Sequence, residues 1–183
     1  KEGALLVALA LLLLEALCAV WAVMVYRSGK KHETPAAIGF GLYIYECFHV
    51  FGRFFPTVPT WRPPLPLMAA GFLLVLGATA LFAWCFWLMK TVGQAENNWE
   101  NTKNLITIGP YSLVRHPMYG AASLAAAGVA LVRITPVGLL LAVSVATLFA
   151  WSALMEDDVV AEKFGDAYKV YRRNTKLIFP FLY

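Results

Sequence analysis

Hydrophobic positions along the chain are concentrated into long runs, which the core of a soluble domain does not need. Several runs reach the roughly 20 apolar residues that a helix needs to cross the hydrocarbon layer of a membrane. Proline-rich or charged stretches separate the runs. This pattern predicts five transmembrane helices with the approximate bounds 5–26, 35–55, 67–89, 117–132 and 137–155.

The breaks between the runs organise the chain. A loop rich in proline and tryptophan at 56–66 separates helices two and three. The longest polar stretch, 90–115, lies between helices three and four, and a short turn at 133–136 makes helices four and five a hairpin. The remaining residues, 156–183, form a polar and then amphipathic C-terminal segment. We therefore expect one membrane domain covering residues 1–183.

Composition supports the membrane assignment. Hydrophobic residues make up 60% of the 183 residues and charged residues only 14%, whereas a soluble domain carries roughly 25% charged residues. The net charge of +4 is too small to indicate nucleic-acid binding. The three cysteines lie within apolar segments without the spacing of metal ligands, so no metal site is predicted. The predicted class is an all-α integral membrane protein in contact with membrane lipids.

The positive-inside rule predicts the orientation of the bundle. If the polar stretch after helix three is cytoplasmic, eleven of the 15 lysines and arginines lie on that side of the membrane. The C-terminal segment then lies on the same side. We expect a multi-pass protein of the plasma or inner membrane, or of the endoplasmic reticulum. A site built from the loop between helices three and four and from the C-terminal segment would face the cytoplasm.

Candidate chemistry is concentrated at the start of helix four. Arg115, His116 and Tyr119 crowd this entrance, and Pro117 suits the first turn of a helix. The free N–H groups of a helix N-terminus and the positive end of its dipole favour an anionic group. The alanine- and glycine-rich sequence that follows allows close packing against helix five. Such packing would bring the acidic cluster 156–158 to the same place, either as a membrane-interface stop signal or as a partner of the basic turn or of a bound cofactor.

These residues resemble a known family. The resemblance covers roughly residues 97–180 and rests on three motifs: Gly109-Pro110-Tyr111 followed by Arg115-His116-Pro117-x-Tyr119-Gly120, the acidic pair Glu156-Asp157, and Phe164-Gly165-Asp166-x-Tyr168. In this combination and spacing they are similar to the isoprenylcysteine carboxyl methyltransferase family. That family belongs to a wider group of membrane methyltransferases that includes phospholipid N-methyltransferases.

The resemblance implies that S-adenosylmethionine binds between the Arg-His-Pro turn and the acidic residues after the last membrane helix. By position, it implies cofactor contacts from Leu105, Ile106, Gly109, Tyr111, His116, Pro117, Tyr119 and Glu156. Arg115 and Asp157 are the predicted catalytic residues. An amine acceptor would need a base, for which Asp157 or Glu156 is the natural candidate.

The methyl acceptor is left open by the sequence. The resemblance implies a lipid or lipidated substrate, first of all the carboxylate of a prenylated cysteine or a similar isoprenoid thioether. Many carboxyl methyltransferases of the family carry an arginine at the position of Ser152, where it holds a substrate carboxylate. Its absence keeps a phospholipid amine as an alternative acceptor.

Two other classes of function are weighed against methyl transfer. A nicotinamide-dependent membrane reductase would need a nucleotide-binding loop that this sequence does not show. A non-enzymatic scaffold would not need three polar groups at one helix entrance. Within the apolar runs, Glu46 and His49 are three residues apart on helix two. They are interpreted as a structural pair or as groups near the membrane boundary, and substrate contacts deep in the bundle are the alternative.

Overall fold

The computed structural model describes residues 2–52, 61–96 and 101–180, and for 2–12, 14 and 52 it describes the backbone alone. Within these ranges the regular structure is helical, with two isolated β-bridges and no strand. The five α-helices are α1 (Glu2–Arg27), α2 (Thr34–Gly52), α3 (Leu65–Thr91), α4 (Pro117–Val132) and α5 (Pro136–Asn174). Short 3₁₀ turns at Lys31–Glu33 and Gly109–Ser112 precede α2 and α4.

The helix bounds follow the predicted ones closely except at α5. The predicted end of helix two at 55 lies outside the described residues. Helix α5 does not stop near 155 but continues to Asn174, with one break at Gly165 (φ 57°, ψ −129°). The acidic cluster therefore lies inside a helix, and its buried carboxylate, Asp157, contacts Tyr168 and Arg172 of the same helix. Gly165 accommodates the break because glycine adopts positive φ without the steric penalty of a Cβ atom.

Helices α3 and α4 pack through glycine. A Cβ atom on Gly71 would lie 2.7 Å from the carbonyl oxygen of Gly128, and one on Gly128 would lie 2.8 Å from the carbonyl oxygen of Gly71. Small residues permit this close backbone approach, as in many membrane helix pairs. Helices α2 and α5 pack through aromatic rings: those of Phe40 and Phe149 meet edge to face, with their centroids 5.2 Å apart.

Ser152 of α5 holds the beginning of α2 in place. Its hydroxyl donates to the carbonyl of His32 at 2.8 Å and accepts from the backbone N–H of Ala36 at 2.8 Å. The residue is fully buried. Ser152 therefore stabilises the contact between α5 and the start of α2 in this chain.

Two helices in the described residues, α3 and α5, are long and apolar enough to cross a membrane. Only 11% of the most apolar window of α3 is buried inside the protein, so its hydrophobic surface faces outward, as expected of a helix solvated by lipid. Helix α4 has 16 residues, about 24 Å of helix. By length and apolar composition, two of the five predicted transmembrane helices are confirmed as candidate spans. The other three stay a prediction.

The predicted pair between Glu46 and His49 is not formed. His49 Nε2 lies 2.9 Å from the hydroxyl of Thr135 at the start of α5. The Glu46 carboxyl is fully buried, and both of its oxygens lack a hydrogen-bond partner in the described structure. The two residues were predicted to pair because they share one face of the helix. In the structure His49 instead contacts Thr135, in the turn before α5.

Candidate active site

The turn that precedes α4 is fixed by the segment that follows α5. Val114 and Lys176 form a parallel β-bridge. The N–H of Arg115 donates to the Lys176 carbonyl at 2.8 Å, and the N–H of His116 donates to the Leu177 carbonyl at 2.9 Å. These bonds hold the loop before α4 and the C-terminal segment together as one unit, as the prediction of a site built from both segments requires.

Gly109 and Tyr111 give the loop its shape. Gly109 has a φ of +61°, and a Cβ atom there would lie 3.1 Å from the side chains of Leu88 and Trp84. Tyr111 is buried, and its carbonyl accepts a 2.6 Å hydrogen bond from the Tyr171 hydroxyl of α5. Burial raises the pKa of the Tyr111 phenol well above its usual range, so this side chain stays protonated.

Asp157 is the buried centre of the charged network. One oxygen, Oδ1, accepts hydrogen bonds from Arg115 Nε at 2.8 Å and from the hydroxyl of Tyr168, and His116 Nε2 lies 3.4 Å away. The other oxygen, Oδ2, lies 3.0 Å from Arg172 Nε. The apolar part of α5 ends at Met155, so this carboxylate lies beyond the membrane-spanning stretch.

The pKa of Asp157 reflects these contacts. Burial alone would raise it, but the hydrogen bonds from His116 and Tyr168 and the charge of Arg115 outweigh that effect and hold the pKa well below its usual range. The carboxyl is therefore ionised at neutral pH. Arg115 is fixed in turn, since its Nη1 also donates to the carbonyls of Thr175 at 2.6 Å and Arg172 at 3.2 Å.

Glu156, one residue earlier on α5, faces a different environment. Its Oε2 accepts a 2.6 Å hydrogen bond from the Tyr119 hydroxyl and lies 3.9 Å from His116 Nδ1. The Glu156 side chain retains 25% of its exposure. The ring of Tyr119 stacks between those of His116 and Phe149, with centroids at 5.9 and 5.7 Å. Glu156 is thus oriented by a hydroxyl but remains accessible.

A cavity connects these groups. Its empty volume is about 900 Å³, which includes space open to solvent. Apolar and aromatic side chains form most of its wall, and the charged or titratable groups that line it are Arg115, His116, Glu156 and Lys163, together with four tyrosines. The described lining residues are Phe40, Phe82, Met89, Thr102, Leu105, Ile106, Tyr111, Arg115, His116, Pro117, Met118, Tyr119, Phe149, Glu156, Val160, Lys163, Phe164, Tyr168 and Tyr171.

Eight of the ten predicted site residues line this cavity, and the two exceptions are Gly109 and Asp157. Gly109 shapes the loop, and Asp157 lies behind Arg115 and His116. Eleven further residues line the cavity that were not among the predicted site residues, and five of them lie on the last part of α5: Val160, Lys163, Phe164, Tyr168 and Tyr171. Val160, Phe164 and Tyr168 recur at helical spacing, a signal that identifies one helix face but not the cavity that it covers.

A helical bundle with strongly apolar outer surfaces, and with a mixed acidic, basic and aromatic cavity at one end, is typical of a membrane-associated protein, and the cavity is its candidate site. Residues 66–167 match the phospholipid methyltransferase family model. The chain belongs to this family, which is part of the isoprenylcysteine carboxyl methyltransferase and membrane methyltransferase group, so the resemblance seen in its motifs is confirmed.

One curated relative is the cobalt-zinc-cadmium resistance protein CzcN of Cupriavidus metallidurans. It is 34% identical over 122 residues, which are 66% of this chain and 52% of the relative. The chain thus spans about half the length of that relative. No solved structure matches the chain significantly.

Proposed function

We propose that the protein transfers the methyl group of S-adenosylmethionine to the headgroup of a lipid or lipidated substrate. The observation that carries this proposal is the accessible Glu156 carboxylate, oriented by Tyr119 within a cavity that Leu105 and Ile106 line with apolar surface. Family membership supports methyl transfer, and the cavity supplies the place for it.

The cavity suits the chemistry of this cofactor. S-adenosylmethionine combines a flat apolar purine, a sulfonium cation and a zwitterionic amino-acid end. Leu105 and Ile106 would hold the purine, as the family resemblance implies, and Glu156 would offset a positive charge. His116, Tyr119 and Tyr111 complete the wall. When bound, the cofactor supplies an electrophilic methyl group, and the protein contributes position and the exclusion of water.

The two acids differ in their surroundings, which supports different roles for them. Asp157 is buried and engaged by two arginines and Tyr168, so we assign it and Arg115 to positioning the turn that carries His116. Glu156 reaches the cavity and is the acid available to take a proton from an acceptor amine. Tyr119 fixes the carboxylate that would perform this step.

Among acceptors, the side chains favour the amine of a phospholipid headgroup. Ser152, at the position where related enzymes hold a carboxylate with arginine, is buried and bonded to backbone groups. Arg115 already faces Asp157. The carboxylate of a prenylated cysteine is the second candidate, favoured by the Arg-His-Pro-x-Tyr-Gly motif. Supplying phosphatidylethanolamine and a farnesylated cysteine analogue in parallel, with radiolabelled cofactor, separates the two by the product that gains the label.

Calorimetric binding of S-adenosylhomocysteine to the detergent-purified protein tests the cofactor. We expect micromolar binding that is weakened at least tenfold by His116→Ala, because the substitution removes a cavity wall and a neighbour of Glu156. His32→Ala is the matched control, since His32 lies at the same end of the bundle and outside the cavity lining. A folded wild-type protein that binds NADPH but not S-adenosylhomocysteine would replace the proposal with the reductase; a protein that binds neither would favour the scaffold.

A further inference from the structure

We infer that Lys163 is the anion anchor of this cavity and binds the phosphate or carboxylate group of the ligand whose opposite end faces Glu156. The inference rests on the proposed function for the identity of its ligands. It concerns a residue that the motifs did not single out. The Lys163 ammonium group, at the rim of the cavity, would select ligands that carry an anionic group.

The distribution of charge singles out Lys163. Arg115 is neutralised by Asp157, and His116 lies within 4 Å of the carboxylates of both Glu156 and Asp157. Lys163 Nζ donates instead to the neutral amide oxygen of Asn101 at 2.7 Å. Of the cationic side chains in the described lining, it is the one without a carboxylate partner.

The position of the Lys163 ammonium group fits a rim contact. Nζ lies 5.4 Å from the centre of the Phe164 ring, which itself lines the cavity. The bond to Asn101 joins α5 to the loop on the other side, beside Thr102 of the lining. The ammonium group therefore lies where α5 meets the loop. It has three N–H donors, and the bond to Asn101 uses one of them, so the others can donate to a ligand.

Glu156 and Lys163 place a negative and a positive charge on one face of α5. They are seven residues apart on α5, which places them on the same side and roughly 10 Å apart along the axis. A ligand with an amine or cationic end and an anionic end matches this arrangement. Two ligands of the proposed reaction have this character: the phospholipid headgroup, through its phosphate, and the cofactor, through its carboxylate.

Four calorimetric titrations of the full chain distinguish the two sources. S-adenosylhomocysteine carries the carboxylate, and 5′-methylthioadenosine lacks it. Short-chain phosphatidylethanolamine carries the phosphate, and an alkylamine of matched length lacks it. The variants are Lys163→Gln and, as a matched control, Lys169→Gln, because Lys169 pairs with Asp166 on the exposed surface and does not line the cavity.

We expect Lys163→Gln to weaken binding of at least one anionic ligand roughly fivefold, since a partly exposed charge contact contributes little more than that. Its partner without the anionic group should bind unchanged. Weakening of S-adenosylhomocysteine assigns the cofactor carboxylate, and weakening of the phospholipid assigns the phosphate. Lys163→Arg should restore most of the lost affinity.

Equal behaviour of Lys163→Gln and Lys169→Gln toward both anionic ligands overturns the inference, and so does a wild-type protein that binds neither. A protein that ignores S-adenosylhomocysteine but binds phosphatidylethanolamine through Lys163 would retain the anchor and lose the methyltransferase. The two proposals therefore fail separately.

Discussion

At the scale of single residues, the carboxylate of Asp157 joins three segments of the chain. Arg115 comes from the loop before α4, Tyr168 and Arg172 from the far part of α5, and His116 from the start of α4. An ionised group that is buried with this many donors is stable only while they remain in place, because removing one partner leaves an uncompensated charge. The geometry of the cavity wall thus depends on a residue that does not line it.

Replacing Asp157 with Asn should therefore destabilise the fold. We expect a loss of about 3 kcal/mol, the lower end for breaking a buried ion pair, and a fall in the melting temperature of roughly 6–12 °C. Thermal unfolding in detergent measures it. Asp158→Asn is the matched control: its side chain is 81% exposed, so its melting temperature should change by less than about 2 °C. Similar shifts for both variants would argue against a central role for Asp157.

Tyr119 should act on ligand binding through Glu156. Tyr119→Phe removes the 2.6 Å hydrogen bond that orients the carboxylate, and we expect S-adenosylhomocysteine to bind about fivefold more weakly, because the carboxylate is partly solvated. Calorimetry measures the change. In a Glu156→Ala background the same substitution should have no further effect. An undiminished effect in that background would show that Tyr119 acts directly on the ligand.

At the scale of elements, the pairing of α3 with α4 relies on the absence of side chains. Gly71 and Gly128 bring the two backbones into contact, and α4 carries the Arg-His-Pro turn at its start. Phe82 and Met89 of α3 line the cavity together with residues at the start of α4. In a membrane, such packing is a main source of helix association, since lipid and side chain are equally apolar.

Gly71→Ala should consequently lower stability, whereas Gly77→Ala on the same helix should not. A Cβ atom at residue 71 would meet the Gly128 carbonyl at 2.7 Å, but one at residue 77 meets nothing within 4 Å. We expect a loss of about 1–3 kcal/mol for the first variant and no loss, or a gain of up to about 1 kcal/mol, for the second. Melting temperatures in one detergent compare them directly. Equal destabilisation would mean that helix flexibility, and not close packing, is what glycine provides.

Some helices and part of the candidate site can be predicted from the sequence alone. Runs of apolar residues locate α3 and α4, and the spacing of Arg115, His116 and Tyr119 identifies the site, because these signals are local. Helix α5 was predicted to end near 155, since an acidic cluster after an apolar run is typical of a membrane boundary. In the structure the helix continues to Asn174, and Asp157 within it contacts Arg115, which is distant in the chain. No local pattern contains that contact.

At the scale of the whole molecule, the structure places the two polar segments at one end of the bundle. The bridge between Val114 and Lys176 lies at the end with the cavity. At the opposite end, Trp61 pairs with Ile134 in the turn between α4 and α5. The cavity end carries eleven of the 15 lysines and arginines of the sequence, and the positive-inside rule therefore predicts that it faces the cytoplasm.

Accessibility of introduced cysteines tests this orientation. Asp166 at the cavity end has a side chain that is 93% exposed, and Arg62 at the other end is also exposed. With a membrane-impermeant maleimide on intact cells, we expect Arg62→Cys to be labelled and Asp166→Cys to react only after the membrane is opened. The unmodified protein gives the background from Cys18, Cys47 and Cys85. The reverse pattern would place the cavity outside the cell, away from the cytoplasmic pool of S-adenosylmethionine, and would count against the proposed reaction as well as the topology.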